Sequence, residues 1–116
     1  MTPHIERLLD RITRVHGVRG ALVVTSADGL IVADTVMNTV RREAAAPLAA
    51  SLALRMTRAC QAAGVGRQHF LHLQCVGGTL LAMPAGDDMV VVVVGERNLN
   101  VGLVRLEMQQ AAETIR

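Results

Sequence analysis

The sequence predicts a mixed α/β (α+β) fold in the order α-β-β-α-β-β-β-α, built on one antiparallel sheet with layers on both faces. Three observations predict it. An apolar stripe at helical spacing opens the chain. An Asp28-Gly29 pair sits between two short apolar runs. Met89 to Val94 is apolar throughout, which asks for cover on both faces of one strand.

Ile5, Leu8, Leu9, Ile12 and Val15 form the first stripe, with Glu6, Arg7, Asp10, Arg11 and Arg14 off it. Thr2 is placed to cap this helix, Pro3 suits its first position, and Gly17 stops it. Asp10 and Arg14 stand in the favourable i,i+4 order. Gly20 to Thr25 and Leu30 to Asp34 read as strands joined by Ser26-Ala27-Asp28-Gly29. A loop over 35–42 leads to a long helix from Glu43 to Ala63, ended by Gly64 and Gly66. Pro47 is expected within its first turn, where no intrahelical bond is lost, so the helix begins at residues 43–46.

On a helical wheel this middle helix carries two apolar arcs. Leu48, Leu52, Met56, Ala59 and Ala63 form a bulky one, expected to face the sheet. Ala49, Ala50, Ala53, Thr57, Cys60 and Gly64 form a small one. Small residues permit close approach of another backbone, so the small arc reads as a helix–helix contact between subunits. A broad buried face inside one subunit is the alternative. Leu54, Arg55 and Arg58 lie on the remaining arc, either as solvated surface or as a patch for an acidic partner.

Residues 68–76 alternate as an edge or half-buried strand, followed by a Gly77-Gly78 turn. Thr79 to Met83 is the next strand, stopped by Pro84, and Ala85 to Asp88 turns into the apolar strand 89–94. Asn98 or Asn100 caps a last helix with the stripe Val101, Val104, Met108, Ala111 and Ile115. Gly102 within it would allow close packing on the sheet.

Composition limits what this chain of 116 residues does, and the length suits a single domain over 1–116. With 51% hydrophobic and 19% charged residues it can bury a core. Net charge is only +2, every basic residue is Arg, and Phe70 is the sole aromatic side chain. Nucleic-acid binders show a basic patch with stacking aromatics, so nucleic acid is not an expected partner. Cys60 and Cys75 lie far apart without a CxxC, as two thiols in a reducing compartment would. No apolar run is long enough to span a bilayer, and residues 4–16 are amphipathic rather than a signal segment. A cytoplasmic chain without membrane association is the expectation.

No phosphate-binding GxxxxGK[ST], HExxH or GxSxG string occurs, and no nucleophile–base pair stands out. His69 and His72, three apart on one strand, would point to opposite faces and could not hold a metal together from one chain. A site shared across a dimer seam is the alternative for them. Asp87-Asp88 reads as turn chemistry. No catalytic residue, cofactor or metal is expected.

Three strings in order resemble the roadblock/LC7 family: GALVVTSADGLIVAD, LLAMPAGDDMVVVVVG and NLNVGLVRLEM, the last with Gly102 and Arg105. The resemblance covers nearly the whole chain. It implies a profilin-like, three-layer fold with a five-stranded antiparallel sheet, the middle helix on one face and the terminal helices on the other. It also implies homodimers paired through the middle helix and third strand. The interface would then include Ala49, Ala53, Cys60, Phe70 and His72, with partner binding at Leu54, Arg55 and Arg58. Bacterial members of the MglB type resemble regulators of small Ras-like GTPases, so the first functional expectation is a homodimeric, non-catalytic activator or scaffold for such a GTPase. A dimeric scaffold or dynein-light-chain-like subunit without effect on nucleotide turnover is the second. A small-ligand or metal sensor is the third.

Lacking a phosphate cradle and a catalytic constellation, the purified chain is expected to hydrolyse neither GTP nor ATP. A phosphate-release assay that finds robust turnover after stringent purification would contradict this.

Overall fold

The computed structural model describes residues 2–115, with side chains from His4 to Ile115. The expected cap at Thr2 and the Pro3 side chain lie outside the described side chains. The elements are α1 (Thr2–Thr13), β1 (Val18–Thr25), β2 (Ile31–Val36), α2 (Arg42–Ala62), β3 (Leu71–Cys75), β4 (Gly78–Ala85), β5 (Met89–Gly95) and α3 (Val101–Ile115). The five strands form one sheet in the order β2-β1-β5-β4-β3, and every neighbouring pair is antiparallel.

β5 is central and buried on both faces. Val91 and Val93 join the core beneath α1 and α3, with Leu9, Ile12, Val104 and Met108. Val90 and Val92 join a second core beneath α2, with Leu22, Val24 and Ala82. The stripes expected for the two terminal helices hold. In α1, Ile5, Leu9 and Ile12 are buried, while Val15 follows the helix and packs at the core margin. In α3, Val104, Met108, Ala111 and Ile115 are buried.

Local chemistry explains the joints. In the first hairpin turn the Thr25 carbonyl accepts from the Gly29 amide, and the Thr25 hydroxyl accepts from the Leu30 amide. Gly29 has φ +68°, and a Cβ there would collide with the Pro47 backbone. Both facts demand glycine at the point where the hairpin abuts α2. Asn100 Oδ1 accepts from the Leu103 amide at 3.2 Å and so caps α3.

Several expectations are corrected. α2 starts at Arg42, so Pro47 lies past the first turn. It therefore costs the bond its N–H would give to the Glu43 carbonyl. β4 runs through Pro84, which pairs with Val90. The β3 ladder ends at the Leu71–Ala82 pair, so at Pro84 the strand has a neighbour on one side only, where a missing N–H is tolerated. The β3–β4 turn is Val76-Gly77, because Gly78 already pairs with Cys75. Asp10 makes no ion pair with Arg14 among the described residues, and its carboxylate accepts instead from the Thr35 hydroxyl at 3.3 Å. Gly102 is exposed, and a Cβ there would approach only Asn100 Oδ1, at 3.7 Å, so no sheet contact explains it.

The largest correction concerns α2. Its buried residues are Ala46, Ala49, Ala50 and Ala53, and all four pack on the sheet of their own subunit. The small arc faces inward and the bulky arc outward, the reverse of the expectation. The sheet already fills this layer with Leu22, Val24, Val90 and Val92, so the helix supplies the small partners of a close-packed contact. Ala49 and Ala53 are core residues of the monomer, not residues facing a twin helix.

Ala53 is only 5% exposed. Ala53→Glu should therefore destabilise the subunit itself, by about 3 kcal/mol or more, and not merely loosen an assembly. Chemical denaturation checks this. A variant as stable as the parent would mean that α2 is not seated on this stripe.

Candidate functional site

The alanine stripe fixes what α2 leaves outside. The helix rests on β1, β5 and β2. Leu48 is 69% exposed and Leu54 is 45% exposed, while Leu52 and Met56 are half-buried on the flank beside Leu48. Arg55 and Arg58 are exposed, so Leu54, Arg55 and Arg58 do point outward as a group. Leu48 and Leu54 lie on different flanks of the helix, Leu48 toward Val18 and Val94 and Leu54 toward Ser26 and Asp88.

Among the described residues β3 is the outer strand next to β4 and has no strand on its other side. Its free edge leaves backbone donors and acceptors unpaired along Leu71–Cys75. Leu71, with Leu80 of β4, is half-buried against the α2-side core. Leu71 and Leu80 thus mark the margin of the α2-side core beside the free edge of β3.

On the other face, His72 is exposed and pairs with Leu81 in register. Phe70 is half-buried at the margin of the core under α1 and α3. The Arg105 guanidinium carbon stands 4.8 Å from the Phe70 ring centroid, a cation–π stack that ties α3 to the entry of β3. The His72 ring lies 6.5 Å from Phe70, tilted by 46°. Cys60 is half-buried and Cys75 exposed, both as free thiols.

His69 does not belong to the strand. It precedes β3 and borders a groove with Met83, Arg105 and Glu113, so strand alternation does not apply to it. The physical reason is Gln68. Its amide nitrogen donates to the Ala53 carbonyl at 3.2 Å, which holds Gln68 itself against α2, and the sheet begins only at Leu71. Among the described residues no three His, Cys, Asp or Glu side chains come together as metal ligands. Asp87 pairs with Arg67 at 2.7 Å, and its backbone carbonyl accepts from the Ser26 hydroxyl, as turn chemistry predicts. Among the described residues no helix is long and apolar enough to cross a membrane.

The start of α2 carries the main charge cluster. Arg42 bonds Asp34 at 3.0 Å and Glu43 at 3.3 Å. The Glu43 hydrogen bond and the nearby Asp34 charge raise the Arg42 pKa. The Glu43 carboxyl is held below its ordinary range, first by its own backbone N–H and then by Arg42. Both groups are well solvated, so they tie β2 to α2 without adding much stability.

The residues missed by sequence reasoning are Leu48, Leu52 and Met56 as outward groups. The available signal was the Ala46, Ala49, Ala50, Ala53 stripe, which continues at helical spacing through Thr57.

Against this geometry, the sequence model described as the Roadblock/LC7 domain matches residues 4–95. An uncharacterized protein of Methanocaldococcus jannaschii is 29% identical over 112 residues, spanning 97% of this chain and 96% of its own. Among solved structures, MglB of Myxococcus xanthus superposes with a TM-score of 0.86 at 19% identity, covering 97% of this chain and 91% of that one. The gliding protein MglB of Thermus thermophilus gives 0.85 at 21% identity, covering 97% and 86%.

Proposed function

The chain belongs to the Roadblock/LC7 family, and from that premise we propose that it is a homodimeric, non-catalytic regulator of a small Ras-like GTPase. The observation that carries the proposal is the outer face of α2. Leu54 stands exposed with Arg55 and Arg58, Leu48 is exposed on the other flank of the helix, and strand β3 has an unpaired edge.

The dimer forms along the β3 edge and the bulky flank of α2. Strand pairing satisfies the open backbone groups of Leu71–Cys75, and Leu48, Leu52 and Met56 supply the apolar contact. His72 lies on this seam, and Cys60 lies on the helix beside it. Phe70 supports β3 from within its own subunit, held by Arg105, and stays on the seam's margin. Ala49 and Ala53 act indirectly, by setting how deeply α2 sits. The two-fold then repeats Leu54, Arg55 and Arg58 on both sides of the axis. A cationic patch with an apolar centre suits an acidic protein surface, and arginine can meet carboxylates bidentately. The kinship with regulators of small Ras-like GTPases supplies the class of partner, and the GTPase supplies the chemistry of nucleotide turnover.

One experiment tests both parts. Light scattering should give a dimer for the parent chain and a monomer for Leu48→Glu, an exposed site where the change leaves the subunit folded. Titration calorimetry with the small GTPase encoded beside this chain should show binding that falls about tenfold or more for Arg55→Ala with Arg58→Ala, with the dimer intact. Unchanged affinity in an intact dimer would reduce that arc to solvated surface. A monomeric parent at micromolar concentration would remove the seam.

A further inference from the structure

A cavity of about 810 Å³ opens on the α2 side of the sheet, at the end where β1 begins and β5 stops. Its walls are mostly apolar: Val18 and Val94 from the sheet, Met37 and Val40 from the β2–α2 loop, and Leu48 from α2. Met37 is 57% exposed and Leu48 69% exposed, so the subunit leaves this apolar concavity open to solvent. Mostly apolar walls with a few polar groups are the usual form of a small-ligand site.

Arg19 supplies the principal polar group. It sits where β1 shifts register against β5, between Val18 and Gly20, and it is half-buried. Gly78 shows which way its side chain runs. Gly78 stands two residues before Leu80 on β4, so it presents the same face, and Leu80 packs on the α2-side core. A Cβ on Gly78 would come within 3.2 Å of Arg19 Nη1. The guanidinium therefore lies on the α2 face of the sheet, the face on which Arg19 lines the cavity. Its Nη1 donates to the Gly77 carbonyl at 3.0 Å, which holds the group in place. Arg19 forms no ion pair among the described residues, so a half-buried cation with a fork of donors stands without a counter-ion. Arg41 and Glu96 also line the cavity, and neither forms an ion pair among the described residues. Two arginines against one glutamate leave one net positive charge when His16 is neutral.

We propose that this cavity is a binding site for an aliphatic monocarboxylate, its carboxylate on the Arg19 guanidinium and its chain along Val40, Leu48 and Val94. The planar guanidinium fork matches the two oxygens of a carboxylate. One negative charge balances the lining, whereas a dianion such as a phosphate monoester would bring excess charge beside Glu96. An ammonium would meet Arg19 as a like charge. The chain gains by leaving water for the apolar walls. Leu48 is shared with the proposed dimer seam, but the other walls belong to one subunit and neither Arg55 nor Arg58 takes part. The site therefore stands or falls independently of the GTPase reading.

The test is an NMR titration of the full chain with octanoate, beside octanol as a neutral probe of the same chain length. Octanoate should cause saturable shifts confined to residues 16–19, 37–48 and 94–96, and octanol should bind about tenfold more weakly or worse. Arg19→Met removes the guanidinium and keeps an apolar stem. It should lose about tenfold or more in octanoate affinity and leave octanol binding unchanged. Met37→Glu, on the exposed loop, sets a further carboxylate at the cavity. It should weaken octanoate more than octanol, and it decides the matter should Arg19→Met fail to fold. Absent saturable shifts, equal binding of the two probes, or octanoate affinity unchanged in both variants would overturn the proposal.

Discussion

Strand β5 has water on neither face and a paired strand on each edge, and that constraint organises the molecule. Met89 to Val94 carries no alternation because neither face is solvated. Helices must therefore lie on both sides of the sheet. β1 and β4 must flank it, and the short turn from β4 leaves that hairpin no other place. The more polar strands β2 and β3 are left for the edges. The two layers then divide the packing differently. Under α1 and α3 the helices bring large side chains, Leu9, Ile12 and Met108, to a sheet face that includes Ala21. Under α2 the sheet brings the large side chains and the helix brings alanines.

That division explains which parts of the fold were legible in the sequence. Periodicity identified α1 and α3 because in them bulk and burial coincide. β5 was legible because a run of valines fits no other environment. The Asp28-Gly29 turn was legible because its glycine has a conformational reason to be there. α2 was legible as a helix but not in its rotation. A wheel ranks faces by how apolar they are, and it carries no information on how full the opposing layer already is. With Leu22, Val24, Val90 and Val92 in place, a second bulky layer would overpack the interface, so the helix turns its alanines inward.

The surface residues follow the same logic. Leu54, Arg55 and Arg58 were legible as an outward group because their arc is polar enough to stay in solvent whichever apolar arc is buried. Leu48 was not, because its exposure depends on the rotation of the whole helix. The start of β3 was not legible either. The alternation from Gln68 to Val76 is continuous in the sequence, yet one long-range bond from Gln68 to the Ala53 carbonyl takes the first residues off the sheet. A polar side chain that leaves a strand to bond a distant backbone group leaves no mark on periodicity.

The alanine stripe is also short. Every buried residue of α2 lies between Ala46 and Ala53, although the helix continues to Ala62. Up to Ala53 the helix is seated on the sheet, and beyond it no residue of α2 is buried. The unseated half leaves room beneath Leu54 and Thr57, a second cavity that Gln68 lines in part. It also holds Leu54, Arg55 and Arg58 away from the core, in solvent. Gly64 and Gly66, both at positive φ, then reverse the chain so that Gln68 returns under the helix. A longer run of inward alanines would close the cavity and draw the arginines down toward the sheet. The length of one small-residue stripe therefore sets how far the helix is buried and how much of it remains available for recognition.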